Sequence, residues 1–208
     1  MILKASHHPF IYPFFRFYAF WKIKRNFHNV SISGEFNDKN LPVLLVSNHI
    51  SWWDGLWAMY LNLKLLHRMF YFMMLEEQLK KHIYFNKTGG YSIAKGTRSI
   101  IETLEYTAEL LSDPANLVLI FPTGKIESMH KQVHRFESGI EHILRKVTNE
   151  IQILMLVNLV DYFSHPKPEL FMHIKEYKGS DFRSGTLQEE YDRFYLQCVE
   201  SNIIKAGG

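Results

Sequence analysis

Two short stretches of the chain carry side chains that can move protons and hold anions. In Ser47-Asn48-His49-Ile50-Ser51-Trp52-Trp53-Asp54 an imidazole and a carboxylate lie five residues apart. A carboxylate that accepts from one ring nitrogen fixes the tautomer and leaves the other nitrogen to take a proton from a hydroxyl. Those are two of the three roles of a catalytic triad, with no protein nucleophile beside them. The spacing has a plainer use as well. Ser51 followed by Asp54 resembles a capping box, with Asp where Glu or Gln is usual, and on that reading Asp54 only holds a helix start. The two uses compete for the same oxygens. His49 is nevertheless the one histidine of eleven with Asp five residues later. The second stretch is Phe121-Pro122-Thr123-Gly124-Lys125, a turn with a cation at its end.

Both stretches follow runs that read as buried strands. Leu41 to Ser47 and Asn116 to Phe121 are near-continuous apolar segments, the pattern of strands covered on both faces. Weaker strands are expected at Val30 to Phe36, Arg68 to Leu75, Tyr91 to Ala94, Ile151 to Val160 and Leu170 to Tyr177. Helical spacing is expected over Trp52 to Leu66, in a short exposed piece around Glu76, and over Ser99 to Leu111, Phe136 to Val147 and Leu187 to Ile204. Strands alternating with helices predict an α/β fold: a single layered domain with a mixed, largely parallel sheet flanked by helices. Sites in such folds gather at the carboxyl ends of strands, so the two turns are expected on one rim.

The chain has 208 residues, 47% of them hydrophobic and 22% charged, which suits one folded domain and excludes intrinsic disorder. A single cysteine excludes an internal disulfide framework, and Cys198 reads as a small buried hydrophobe. Charge is uneven. The first 34 residues hold Lys4, Arg16, Lys22, Lys24 and Arg25 and no acid, so all 21 acids face the other 19 cations. A basic head on a near-neutral body predicts a local anionic partner and no nucleic-acid surface. Within that head, Pro9 to Trp21 is a block of aromatics directly before the cations. Pro13 and Arg16 interrupt it, and it is too short to span a bilayer. Aromatic rings beside Lys and Arg suit a lipid headgroup region, so residues 1–28 read as an interfacial membrane-associating segment and 29–208 as the main domain. The competing use for the same rings is packing onto the domain core.

The rest of the sequence extends the first motif. NHISWWD resembles the NH-x4-D block of the glycerolipid acyltransferases, the family of 1-acylglycerol-3-phosphate acyltransferases. Gly89 to Lys95 is similar to that family's second block, Phe121 to Ser128 resembles its FPEGTRS block, and Phe136-Glu137-Ser138-Gly139 resembles its F-x-x-G turn. The ordered match runs from about Val30 to Val160. The resemblance implies transfer of a fatty acyl group from a thioester, acyl-CoA or acyl carrier protein, to a hydroxyl of a lysophospholipid acceptor. In those terms His49 is the general base and Asp54 orients it. Gly124 lets backbone N–H groups approach an anionic oxygen, while Lys95, Arg98 and Lys125, with Thr123 in the same turn, hold phosphate. No metal or cofactor is implied. A peripheral position on the cytoplasmic face of a membrane follows, where soluble donor and embedded acceptor meet.

Two departures from the pattern bear on the acceptor. Thr123 stands where the family has Glu, and Ile126 where it has Arg, with Lys125 one position earlier. In the second block Lys95 replaces Arg, so point charges replace bidentate phosphate recognition, and Arg98 is a possible substitute. Lysophosphatidic acid is the default acceptor, another single-chain lipid such as an amino-acid lipid the alternative. A noncatalytic lipid-binding relative is the rival from another class. Other motifs lead less far: Gly124-Lys125 lacks the remainder of a P-loop, and no G-x-S-x-G elbow is present. His130 and His134, four apart, would share a helical face as metal ligands, with Glu137 or His142 as a third.

Overall fold

The computed structural model describes residues 2–94, 96, 98–179 and 184–206 of the chain. In chain order the elements are α1 (Ile11–Asn26), β1 (Asn29–Ser33), β2 (Val43–Ser47), α2 (Asp54–Leu61), β3 (Met69–Leu75), α3 (Glu76–Lys81), β4 (Gly90–Ile93), α4 (Ser99–Leu110), β5 (Asn116–Ile120), α5 (Gly139–Lys146), β6 (Gln152–Asp161), β7 (Glu169–Tyr177) and α6 (Ser184–Ala206). The strands form one sheet in the order β1-β7-β6-β2-β5-β3-β4. From β6 to β4 neighbouring strands are parallel; β7 is antiparallel to β6, and β1 lies parallel to β7. The mixed, largely parallel sheet is the one the strand–helix alternation predicts.

The three central strands explain why their sequences are apolar without alternation. Every residue of β2 and β5 is buried, because both faces of the sheet are covered. Leu44, Val46, Val118, Ile120, Met155 and Val157 pack with residues of α4, α5 and α6. Their neighbours Val43, Leu45, Leu117, Leu119, Leu154 and Leu156 pack on the opposite face with residues of α1 and α2. Successive side chains point to opposite faces, so each strand feeds both layers. Cys198 lies in the α6 layer, only 3% exposed, and its thiol is pushed up to about 12 by burial.

The helix after β2 differs from the sequence reading in form. The helix expected to run to Leu66 is α-helical only to Leu61, and a π turn over Asn62–Leu66 ends it at His67, which adopts a left-handed conformation (φ 55°). Asn62 closes that corner. Its side chain donates to the Arg68 carbonyl at 2.8 Å and accepts from the Arg68 N–H at 2.9 Å, which turns the chain into β3.

The basic head is part of the domain. Leu3 and Ser92 exchange hydrogen bonds, and His7 bridges to Thr88, so the N-terminal residues run along β4. Helix α1 buries Tyr12, Ala19 and Ile23, with Phe20 stacked on Tyr60 of α2. Its other face leaves Phe10, Phe14, Phe17 and Trp21 exposed. The aromatic block is therefore split between a packed face and an exposed face of one helix. Among the described residues no helix is long and apolar enough to cross a membrane.

Gly89 shows how tightly the head, β3 and β4 meet. Its φ is +102°, and a Cβ there would lie 2.0 Å from the Phe70 carbonyl oxygen and 2.7 Å from His7 Nε2. Both the positive φ and the backbone collision penalise any side chain. Gly89→Ala is expected to destabilise the fold by at least about 2 kcal/mol, measured by chemical denaturation; a loss within error of zero would show that the backbone at this corner yields freely.

Candidate active site

Strand β2 delivers Ser47 to the rim, and the chain then turns through Asn48 to Asp54 into α2. Strand β5 is the parallel neighbour of β2, with Val46 opposite Ile120, so Phe121 and the turn that follows emerge beside His49. On the other side β6 is tied to the same turn. Asn48 Nδ2 donates to the Asn158 carbonyl at 2.8 Å, and the Asn158 N–H donates back to Asn48 Oδ1 at 2.9 Å. Asn48 and Asn158 are both essentially inaccessible, so this reciprocal pair fixes the backbone immediately before His49.

His49 and Asp54 meet. The separation between His49 Nδ1 and Asp54 Oδ2 is 2.8 Å, and the same oxygen accepts the Ile50 N–H at 2.7 Å and the Ser51 N–H at 2.9 Å. The pairing and the helix-start readings of Asp54 are thus served by one oxygen. Ser51 Oγ, in turn, accepts the Trp53 N–H at 3.1 Å. Asp54 is 0% exposed, and burial pushes its carboxyl above the ordinary value, with the His49 ring and the two N–H groups pulling in the other direction. An oxygen already accepting two N–H groups receives the ring as a third donor, which places the proton of His49 on Nδ1. Nε2 is then the basic nitrogen, and it has no hydrogen-bond partner among the described residues.

The second turn supports that ring directly. Phe121 stacks on the imidazole with centroids 4.1 Å apart and planes 12° from parallel. The Glu127 N–H donates to the His49 carbonyl at 2.7 Å. Between them Gly124 adopts φ +60°, and its N–H closes the turn onto the Phe121 carbonyl at 2.9 Å. Thr123 is buried and its hydroxyl donates to the Lys125 carbonyl at 3.0 Å, a bond internal to the turn. The Glu137 N–H reaches back to the Pro122 carbonyl at 2.8 Å, which joins the stretch around Gly139 to the same loop.

The expected phosphate-holding side chains are spread along the rim. Lys125 is largely exposed, 3.5 Å from Glu127, whose largely buried carboxylate also takes Lys131 at 2.6 Å. Burial pushes the Glu127 carboxyl up, but the two lysines outweigh it and hold the group below the ordinary Glu range. Arg98 is exposed at the start of α4, which follows β4. β4 itself lies three strands, about 14 Å, from β2 in the sheet. Lys95 lies outside the described residues.

Phe121 as the ring's stacking partner and Glu127 as the anchor of both the His49 carbonyl and two lysines were not singled out from sequence. Their only signal was membership of the block Phe121 to Ser128. The histidine pair at 130 and 134 has no helical face to share, because the segment is irregular. His134 Nδ1 instead lies 2.8 Å from Asp192 of α6.

An apolar cavity of about 510 Å³ opens next to the His49–Asp54 turn. Ile50 and Ser51 form its wall on that side, Ile23 and Phe27 come from the end of α1 and its exit, and Val160 comes from β6; Lys22 is also in its wall. Its size suits a small-molecule or acyl-chain pocket, which typically spans about 300–1,000 Å³.

The comparisons follow from this geometry. No curated protein matches the chain. Among solved structures the fold is similar to the 1-acyl-sn-glycerophosphate (LPA) acyltransferase PlsC from Thermotoga maritima. That match has a TM-score of 0.54 at 15% identity and covers 93% of this chain and 78% of that one. The sequence itself matches the acyltransferase family over residues 9–157, from α1 through most of β6, a span that contains the His49–Asp54 turn, the Gly124 turn and the strands that carry them. The chain belongs to the acyltransferase family.

Proposed function

We propose that this protein transfers a fatty acyl group from a thioester, acyl-CoA or acyl carrier protein, to the hydroxyl of a lysophospholipid, with 1-acylglycerol-3-phosphate the default acceptor. The observation that carries the reading is the 2.8 Å contact between His49 Nδ1 and the fully buried Asp54, with Nε2 unengaged among the described residues. His49 Nε2 takes the acceptor hydroxyl's proton as the oxygen attacks the thioester carbonyl carbon. Asp54 stabilises the imidazolium that forms. The tetrahedral intermediate then collapses, the carbon–sulfur bond breaks, and the imidazolium returns the proton to the leaving thiolate. Gly124, with no Cβ, leaves the turn's backbone approachable by the anionic oxygen, and the cations Lys95, Arg98 and Lys125 favour an acceptor that carries phosphate.

Membrane contact belongs to the same reading. Phe10, Phe14, Phe17 and Trp21 recur every three or four residues, so they form one stripe along α1, with Arg16, Lys24 and Arg25 close by. Trp52 and Trp53, which directly follow the His49 turn, are exposed as well. A lipid surface that meets this stripe lies next to the apolar cavity and the catalytic turn. We infer a peripheral protein on the cytoplasmic leaflet, where an embedded acceptor reaches the rim and a soluble thioester arrives from the other side.

His49→Ala is expected to lower acyl transfer by about 10²–10⁴-fold, with labelled acyl-CoA or acyl carrier protein and a lysophospholipid panel as the assay. Residual turnover close to the parent's would remove His49 as base, and no turnover by the parent with any pairing would favour the noncatalytic lipid-binding alternative. Asp54→Asn is expected to lose activity to a similar degree and to change the pH profile of stability. A carboxyl raised above the ordinary Asp value of about 4 keeps protons in the folded chain that the unfolded chain has released. Stability therefore falls as pH rises from the ordinary value through the raised one. The Asn variant is expected to lose that slope in denaturation curves recorded from about pH 4 to about pH 7.

Arg98→Gln and Lys125→Gln are each expected to raise the acceptor KM while leaving the thioester KM unchanged; equal effects on both would withdraw these residues from acceptor binding. For the membrane, replacement of Phe14, Phe17 and Trp21 by Ser is preferable to deletion of residues 1–28, because deletion would also remove the buried Tyr12, Ala19 and Ile23. The triple variant should fold and lose sedimentation with anionic vesicles. Sedimentation equal to the parent's would rule out the stripe as the contact.

A further inference from the structure

Outside the catalytic turn, one group of metal-ligating side chains gathers where α1 exits into β1 and the β6–β7 turn enters β7. His28, His165 and Glu169 bring one ligand atom each within 4.8 Å of one another. The two imidazoles stack with centroids 3.6 Å apart and planes 17° from parallel, and His165 Nε2 lies 3.7 Å from Glu169 Oε1. Two imidazoles and a carboxylate form a donor set suited to a borderline divalent cation such as zinc.

The backbone that carries these donors is fixed by contacts independent of them. The His28 N–H donates to the Pro168 carbonyl at 2.8 Å, and Lys167 Nζ donates to the Arg25 carbonyl at 2.9 Å. Strand β1 then runs in register with β7, with Asn29 opposite Glu169. The side chains, by contrast, have room to adjust: His28 is exposed, and His165 and Glu169 are partly so. Zinc–nitrogen and zinc–oxygen bonds near 2 Å place tetrahedral donors about 3.3 Å apart. The ligand atoms lie within 4.8 Å of one another, and because ring lone pairs lie in the ring planes, binding one ion requires the two stacked imidazoles to turn out of their parallel arrangement.

Electrostatics on the strand side favours a cation too. Asp161 of β6 lies directly opposite Glu169 of β7 in the antiparallel register, and like charges facing across a ladder are destabilising. Asp161 accepts from Asn202 at 3.1 Å, which leaves Glu169 as the carboxylate turned to the histidines. Lys167 works against the cation, although its ammonium is occupied at the Arg25 carbonyl.

We propose that His28, His165 and Glu169 bind one zinc ion, with a fourth position open to water. The site is separate from the acyl-transfer chemistry and does not rest on that reading. Its place gives it a consequence for the cavity, since Phe27 and Pro168, each adjacent to a ligand, line the cavity wall. A zinc ion here staples the wall formed by the exit of α1 to the wall formed by the β6–β7 turn.

The test is zinc binding by the full chain after chelator treatment, read by competition with a chromophoric chelator and by Tm with added zinc chloride. One zinc per chain is expected, with a rise in Tm that magnesium chloride does not produce, because magnesium prefers an all-oxygen shell. His165→Ala with His28→Ala should abolish the bound equivalent. Should that pair of changes disturb folding, Glu169→Gln keeps shape and removes the charged ligand; it should lower zinc affinity by at least about tenfold. X-ray absorption of the zinc-loaded parent should show two imidazoles in a shell of nitrogen and oxygen donors. Absence of zinc binding by the parent, an undiminished equivalent in either variant, or a shell without two imidazoles would each overturn the site.

Discussion

One oxygen atom organises the candidate site. Asp54 Oδ2 accepts from the imidazole and from two successive backbone N–H groups, and the residue that carries it is wholly inaccessible. A buried carboxylate is unfavourable unless donors surround it, and here the donors are the turn itself and the histidine it must orient. The arrangement couples shape to chemistry. If the turn from Asn48 to Asp54 relaxes, the carboxylate loses its compensation and the ring loses its partner together. The other oxygen, Oδ1, is buried with no hydrogen-bond partner among the described residues, so the group is not solvated to completion. That incomplete solvation agrees with a carboxyl raised by burial in spite of three donors.

A parallel sheet supplies the place where such a turn can be built. Strands β2, β5 and β6 run the same way, so their carboxyl ends present the His49 turn, the Phe121 turn and Asn158 side by side. Each neighbour contributes a different constraint. From β6 comes the reciprocal Asn48–Asn158 pair, which fixes the backbone before the histidine; from β5 come the stacked Phe121 ring and the Glu127 N–H, which fix the ring face and the carbonyl behind it. The imidazole is thereby left with one nitrogen committed to Asp54 and the other without a hydrogen-bond partner among the described residues.

Much of this was legible because it is local or periodic. Near-continuous apolar runs at Leu41 to Ser47 and Asn116 to Phe121 read as strands covered on both faces, and their polar endings marked the rim. The His49–Asp54 spacing was legible as a pair, though not the fact that one oxygen would serve both pairing and helix start. What stayed hidden was long-range. Nothing near Asn48 in sequence points to Asn158, 110 positions away. The aromatic block at the N-terminus was ambiguous between packing and exposure for a simple reason: Tyr12, Ala19 and Ile23 alternate with Phe14, Phe17 and Trp21 around one helix, and a run rich in aromatics on every side has no hydrophobic stripe to read. The helix expected to reach Leu66 does so, but widens from α to π at Asn62, whose side-chain bonds to Arg68 span the turn at His67; that closure has no sequence signal.

The substitutions in the second turn bear on recognition more than on the base. What the turn gives His49 is a ring stack from Phe121 and a main-chain bond from Glu127, and neither depends on which side chains occupy 123 and 126. Thr123 points inward and closes the loop through its hydroxyl, while Ile126 is exposed. Charge on this stretch is instead collected at Glu127, which draws Lys125 and Lys131 together with a carboxylate held below its ordinary range. A cation held by a neighbouring acid is a weaker phosphate ligand than an arginine fork, since part of its charge is already answered. The physical consequence is a rim on which the His49–Asp54 pair is held by several hydrogen bonds and a ring stack, while the nearby cations Lys125 and Lys131 share one acid.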